Sequence, residues 1–202
     1  RETYLALKQL GSTYMQFIPI VERHTQTQSV TNFSVPSEGY GQFLVDAFHE
    51  WYAHDVGKIY VSQFDNLLGQ WLGYPSTTCV HQPTCGQSLV TEANGDVYAC
   101  DHFVYPEYKM GNLTQQPLTE IVLSNKQQQF GLEKSQKLTA LCRRCEFRKL
   151  CYGGCPKHRF ISLENEPNPH NYLCASYRYF FEQTAPYMQA MARQIRLHPS
   201  AA

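Results

Sequence analysis

Cys142-Arg143-Arg144-Cys145-Glu146-Phe147-Arg148-Lys149-Leu150-Cys151-Tyr152-Gly153-Gly154-Cys155-Pro156 sets four thiols in one short stretch. Thiols this close in sequence can wrap a single centre, which is why such spacing belongs to metal and iron–sulfur sites. Working outward, Cys174 lies downstream, and Cys79, Cys85 and Cys100 form a second group upstream. These eight are all the cysteines of the 202-residue chain, and eight thiols fill two four-thiolate sites.

The surrounding chain does not need those thiols merely as staples. Its length allows one large or two small domains with a real apolar core. The 17 basic and 17 acidic residues cancel, so there is no electrostatic case for nucleic acid or an anionic membrane as partner. No apolar run is long enough to span a bilayer and no signal peptide is legible, so the expected location is the cytoplasm, where thiols stay reduced and favour metal. The chain opens at Arg1 with Glu2 to Leu10 resembling an element already under way, and it is read as a piece of a longer protein.

The expected architecture is α+β, in two regions. Residues 1–74 hold no cysteine and alternate helix and strand. A strand is expected over Tyr14 to Val21, then a helix opened by Pro36 with Ser37 as N-cap. Phe43, Leu44, Ala47, Phe48 and Trp51 follow helical spacing. A strand over Lys58 to Val61 and a helix near Asn66 to Leu72 complete what suits the end of an α/β unit. Residues 75–202 carry the cysteines. Gln87 to Thr91 and Asp96 to Cys100 read as paired strands, with Asn94-Gly95 as the turn because both residues tolerate positive φ. That hairpin would bring Cys85 and Cys100 to one open end. Pro117 is expected to start a helix to about Asn125, with Leu118, Ile121 and Val122 inward. A closing helix from Tyr172 carries Tyr177, Phe180, Phe181, Met188 and Met191, and Pro186 should kink or split it.

Three readings of the thiols compete. A disulfide scaffold is one, since eight cysteines allow about 105 pairings. Structural zinc is the second: Cys142-x2-Cys145 is half of a zinc ribbon, though the other spacings are irregular. Two cubane iron–sulfur clusters are the third. They would use every cysteine, Gly153-Gly154 would let backbone approach a bulky core, and Cys155-Pro156 echoes the end of ferredoxin cluster runs. His81, His102 and His158 lie near cysteines and are read as neighbours of the site rather than ligands. Tyr98, Tyr105, Tyr108 and Tyr152 are read as packing around it.

The order Cys79-x5-Cys85, hairpin, Cys100-Asp101, Cys142-x2-Cys145-x5-Cys151-x3-Cys155 and Cys174 resembles the SPASM domain of radical S-adenosylmethionine enzymes. Asn94-Gly95-Asp96-Val97-Tyr98-Ala99-Cys100-Asp101, Met110-Gly111-Asn112-Leu113 and Phe64-Asp65-Asn66 resemble the anaerobic sulfatase-maturating enzymes within that group. The resemblance covers Lys58 to Cys174 best. It implies that residues 1–74 are the end of a partial α/β barrel with its linker. Residues 75–202 would then be a SPASM domain with a β-hairpin and cysteine-rich loops, closed by a C-terminal helix.

The resemblance further implies a function. Such enzymes oxidise a sulfatase cysteine or serine to Cα-formylglycine, using a 5′-deoxyadenosyl radical that takes hydrogen from the substrate Cβ. Carried over by position, one 4Fe-4S cluster would be held by Cys79, Cys85, Cys100 and Cys155, and another by Cys142, Cys145, Cys151 and Cys174. Asp101 would be the general base; a turn-capping aspartate is the plainer reading of that residue alone. Implied partners are an unfolded sulfatase polypeptide and an electron-transfer protein such as flavodoxin or ferredoxin. The sequence contains no Cys-x3-Cys-x2-Cys. A third 4Fe-4S cluster and S-adenosylmethionine would therefore belong to an N-terminal half, and the chain alone should not turn over. Two alternatives are a SPASM enzyme acting on another peptide and a non-catalytic zinc-binding, peptide-docking module. Zinc could also fill cluster sites in an aerobic preparation.

Overall fold

The computed structural model describes residues 1–198. It is a mixed helix-and-strand fold. In chain order the elements are α1 (Glu2–Gln9), β1 (Tyr14–Met15), α2 (Gly39–His54), β2 (Tyr60–Val61), α3 (Ser62–Leu72), β3 (Val90–Thr91), β4 (Asp96–Tyr98), β5 (Lys109–Asn112), α4 (Leu118–Val122), α5 (Asn125–Gln136), α6 (Ala140–Arg144), α7 (Arg148–Cys151), β6 (Arg159–Ile161), β7 (His170–Asn171) and α8 (Cys174–Leu197). They form two compact units. One is residues 1–78 together with 172–202, and the other is residues 79–171. The C-terminal helix thus packs with the N-terminal segment, where the sequence reading grouped it with the cysteines.

The first unit is built on apolar burial. β1 and β2 pair in parallel, Tyr14 with Tyr60 and Met15 with Val61, with α2 as the crossover. Leu44, Ala47, Phe48 and Trp51 recur at helical spacing on one face of α2 and are buried against α3 and α8. Phe48 meets Phe64 edge-on at 5.4 Å and Phe180 at 6.3 Å. The buried Trp51 indole N–H donates to the Ile59 carbonyl at 2.7 Å, so its polar atom is not stranded. α2 and α8 approach most closely at Gly41: a Cβ there would lie 2.7 Å from Ser176 Cα. Ser176 Oγ accepts from Gly41 N–H at 2.8 Å and donates to the Ser37 carbonyl at 2.6 Å.

Three local expectations fail here for identifiable reasons. The strand stops at Met15. Pro19 has no N–H to pair, and the backbone of Phe17 is satisfied by side chains: Gln63 and Tyr40 hydroxyl both donate to its carbonyl at 2.6 Å. Ser37 does not cap α2, which starts at Gly39 with Glu38 in the cap position and no side-chain cap bond. Pro186 does not split α8, which runs unbroken over 24 residues. The proline is exposed, Thr184 Oγ1 donates to the Phe180 carbonyl at 2.7 Å, and buried residues on both sides hold the helix down.

The second unit has short elements. β3, β4 and β5 form an antiparallel sheet in that order. Gly95, at φ 83°, turns the chain between β3 and β4. Asp96 fastens the turn: it accepts from Asn112 Nδ2 at 2.7 Å and Asn94 Nδ2 at 3.0 Å, and it pairs with Lys109. Gly111 on β5 lies so close to Ile121 that a Cβ would meet its side chain at 2.9 Å. The helix after Pro117 ends at Val122. Only Ile121 points inward, while Leu118 and Val122 are 49% and 38% exposed. A second helix, α5, follows, capped by Ser124 accepting from Gln127 N–H.

Candidate metal centre

α5 is the platform of the site. Its buried face is Gln127, Gly131 and Lys134, spaced by four and three residues. The Cys85 N–H donates to the Gly131 carbonyl at 3.1 Å, and a Cβ on Gly131 would stand 2.6 Å from the Cys85 carbonyl. The Gln127 amide donates to the Gly86 carbonyl at 2.7 Å and the Ala99 carbonyl at 3.3 Å. One side chain therefore ties the residue after Cys85 to the residue before Cys100. Lys134 Nζ, on a side chain 1% exposed, donates to the Cys79 and Val80 carbonyls. Helix α5 thus gathers three cysteine-bearing segments that are distant in sequence.

Cys155 joins them along a loop of three left-handed residues, Tyr152 at φ 48°, Gly153 at 72° and Gly154 at 63°. The Arg159 guanidinium holds that loop, donating to the Tyr152 carbonyl at 2.8 Å, Gly153 at 3.1 Å and Gly154 at 3.3 Å. His102 Nδ1 lies 3.4 Å from Cys155 Sγ. Electrostatics links the four thiols. Burial and then the Cys79 thiol raise Cys85, while Lys134 opposes. Burial pushes Cys155 up to about 11, with Cys85 and Cys79 adding to the rise. Burial pushes Cys100 up to about 12, helped by the Asp101 carboxylate and by Cys155. Cys79, Cys85, Cys100 and Cys155 are thus brought within range of one another's charge.

Cys142, Cys145 and Cys151 lie together in sequence on α6 and α7. Thr139 caps α6 by accepting from Cys142 N–H at 3.3 Å. Its hydroxyl also meets His170 Nδ1 at 3.0 Å, and that nitrogen lies 3.7 Å from Cys142 Sγ. Cys145 ends α6, and Cys151 ends α7. Cys174 is the first residue of α8, in the other unit. Asp101 opens a short 3₁₀ turn, is exposed, and accepts from Cys100 Sγ at 3.1 Å; that bond holds its carboxyl below the usual range. Burial takes His81 and His158 down to about 4, so both are neutral at pH 7.

Eight free thiols are the kind of donor that an iron–sulfur core takes. None of the eight thiols is in a disulfide. Tetrahedral zinc would hold its sulfurs about 3.8 Å apart. Among the described residues no three His, Cys, Asp or Glu side chains meet at the spacing of one metal ion. An iron–sulfur core is several atoms wide and takes its thiolates farther apart. His158 Nδ1 and Gln127 Oε1 are buried beside these segments with no hydrogen-bond partner.

Residues 79–146 match the SPASM family model, described as an iron-sulfur cluster-binding domain. The chain is 41% identical to the serine-type anaerobic sulfatase-maturating enzyme of Bacteroides thetaiotaomicron, over 95% of this chain and 50% of that protein. The cysteine-type enzyme of Clostridium perfringens is 31% identical, over 96% of this chain and 52% of its own length. A solved structure, "Native anSMEcpe with bound AdoMet and Cp18Cys peptide", superposes with a TM-score of 0.81 at 31% identity, over 95% of this chain and 53% of that one. The chain therefore spans about half the length of the curated relatives it matches. Among the described residues no helix is long and apolar enough to cross a membrane.

Asp101, Cys79, Cys85, Cys100 and Cys155 were singled out from the sequence, and the structure sets their segments around α5 and its neighbouring loops. The supports Gln127, Gly131 and Lys134 were not. Their signal was a helical face of polar and small residues, which a search for apolar periodicity passes over.

Proposed function

We propose that this chain is the auxiliary-cluster half of a radical S-adenosylmethionine enzyme that oxidises a sulfatase cysteine or serine to Cα-formylglycine. The observation that carries the reading is the gathering of Cys79, Cys85, Cys100 and Cys155 around α5. In this reading those four hold one 4Fe-4S cluster, and Cys142, Cys145, Cys151 and Cys174 hold a second. β1, α2, β2 and α3 are the last elements of a partial barrel whose remainder binds S-adenosylmethionine and a third cluster. The substrate is an unfolded sulfatase segment, reductant comes from flavodoxin or ferredoxin, and the setting is the cytoplasm.

When bound, the clusters supply one-electron acceptors. The chain's own residues supply the rest. Thiolates from four separated segments fix the core, and Asp101 stands beside one of them, exposed to substrate. Ligation of Cys100 consumes the S–H that Asp101 now accepts, which frees the carboxylate to take the proton of a substrate thiol or hydroxyl. Two electrons and two hydrogens would leave the substrate in total: a hydrogen atom from Cβ, a proton that Asp101 would take, and an electron for which a bound cluster would supply the acceptor; serine would then stand as the aldehyde, and cysteine as a thioaldehyde that water hydrolyses with release of sulfide.

The test is anaerobic reconstitution with iron and sulfide, followed by incubation with reductant, S-adenosylmethionine and a sulfatase peptide. The chain should bind about eight irons and form no formylglycine alone. Zinc without iron uptake overturns the cluster reading, and product from the chain alone overturns the assignment as a half-enzyme. Asp101→Ala in the longer enzyme should abolish formylglycine while leaving iron content unchanged; an undiminished yield removes Asp101 from the mechanism.

A further inference from the structure

Two cations in the cysteine-bearing unit, the buried Lys134 and the half-buried Arg159, have no carboxylate partner. Lys134 is 1% exposed and rests on the Cys79 and Val80 carbonyls. Arg159 donates to the Lys134 carbonyl at 2.6 Å and to the three carbonyls of the Tyr152–Gly154 loop. Among the described residues neither forms an ion pair, although Arg1, Lys8, Lys109, Lys137 and Arg178 each do so at the surface or near it. An uncompensated buried charge is strongly unfavourable. Carbonyl dipoles solvate these cations but do not neutralise them. Apart from each other's like charge, the ionisable groups that act on them are thiols. Lys134 faces Cys85, Cys155 and Cys79, all of the first proposed set. Arg159 faces Cys85 and Cys155 of the first and Cys142 and Cys151 of the second.

A cubane with four thiolate ligands is a net anion, and reduction by one electron makes it more so. We propose that Lys134 and Arg159 are the fixed counter-charges of the clusters. Lys134 serves the first cluster only, Arg159 serves both, and each raises the reduction potential of the cores it faces. This inference rests on the cluster reading above. A cation in a low-dielectric interior stabilises the more negative form, so it favours the reduced cluster. No bond forms or breaks. One electron enters a core, and the fixed cations take up the added charge without a proton.

The test is a redox titration with dithionite of the anaerobically reconstituted protein, read by the electron paramagnetic resonance of each reduced cluster. Lys134→Gln should lower the equilibrium constant for reducing one cluster at least tenfold, about 59 mV for a one-electron couple, and leave the other unmoved. Arg159→Gln should lower both. Lys134→Arg and Arg159→Lys keep the charge and should titrate as the parent does. Full iron with unshifted potentials in both Gln variants overturns the proposal and leaves the two residues as backbone staples. If a Gln variant loses iron, its charge-conserving counterpart decides. Full iron and parental potential there support the counter-charge role, and iron loss there too overturns it. No iron in the parent protein is a different failure, that of the cluster reading itself.

Discussion

The two units of this chain are held by different physics. Among the described residues the first contains 21 buried hydrophobic side chains, including Trp51, Phe48, Phe64 and Met188. The second contains six, of which Val97, Ala99 and Ile121 are fully buried. In its place the second unit has glycine–backbone contacts, polar staples such as Gln127 and Arg159, and thiols. Burial at roughly 25 cal/mol per Å² can hold the first unit alone. The second buries far fewer apolar side chains to set against the entropy of ordering its loops. The difference teaches that, on the cluster reading proposed above, metal ligation would do for residues 79–171 what apolar burial does for the first unit.

The largest effect should come from stripping iron with a chelator under argon. Hydrogen exchange should then accelerate throughout residues 79–171 while amides of α2 and α8 stay protected. Simultaneous loss in both units would break the comparison. Next is Phe48→Ala, which removes a ring buried at 0% exposure. It should cost about 3–5 kcal/mol in urea unfolding of the first unit, and a cost below 1 kcal/mol would show that this core is not what holds it. Gly131→Ala drives a methyl against the Cys85 carbonyl. A loss of about 1–3 kcal/mol is expected, with reduced iron in the second unit only.

A pH effect should separate the units further. Asp55 is buried, which raises its pKa, but hydrogen bonds from Lys8 and Tyr4 outweigh burial and the net shift is downward. A carboxyl lowered in the folded state stabilises fully above its unfolded pKa, and loses that contribution as pH falls through the folded value. The first unit should therefore weaken below about pH 4, and Asp55→Asn should remove that dependence together with about 1.5–3 kcal/mol. Smallest is Arg178→Ala, which breaks an exposed i,i+4 pair with Glu182 on α8. No more than about 0.5 kcal/mol should be lost.

Legibility followed the same division. α2 could be read from its apolar positions because burial is what shapes it. The cysteine order could be read because the spacing of the thiols is written in the chain. α5 could not: Asn125–Gln136 has one large apolar pair, Phe130 and Leu132, and Leu132 is 46% exposed. What α5 buries is Gln127, Gly131 and Lys134, chosen for hydrogen bonding, close approach and charge. Leu118 and Val122 misled in the opposite sense, since the inward direction of a five-residue helix is set by the one residue that reaches the sheet. Pro186 misled because an exposed proline on a well-anchored helix is tolerated.

The Gly41–Ser176 contact has a consequence for biosynthesis. It joins positions 135 residues apart, so the N-terminal segment must wait on the ribosome until Leu173 to Ala192 have emerged. The whole cysteine-bearing stretch is made during that wait. Any early tightening of that intervening loop shortens the tether between the two halves of the hydrophobic unit and lowers the entropy lost when they meet. Metal delivery during translation should therefore hasten closure of a domain that holds most of the chain's buried aromatic rings.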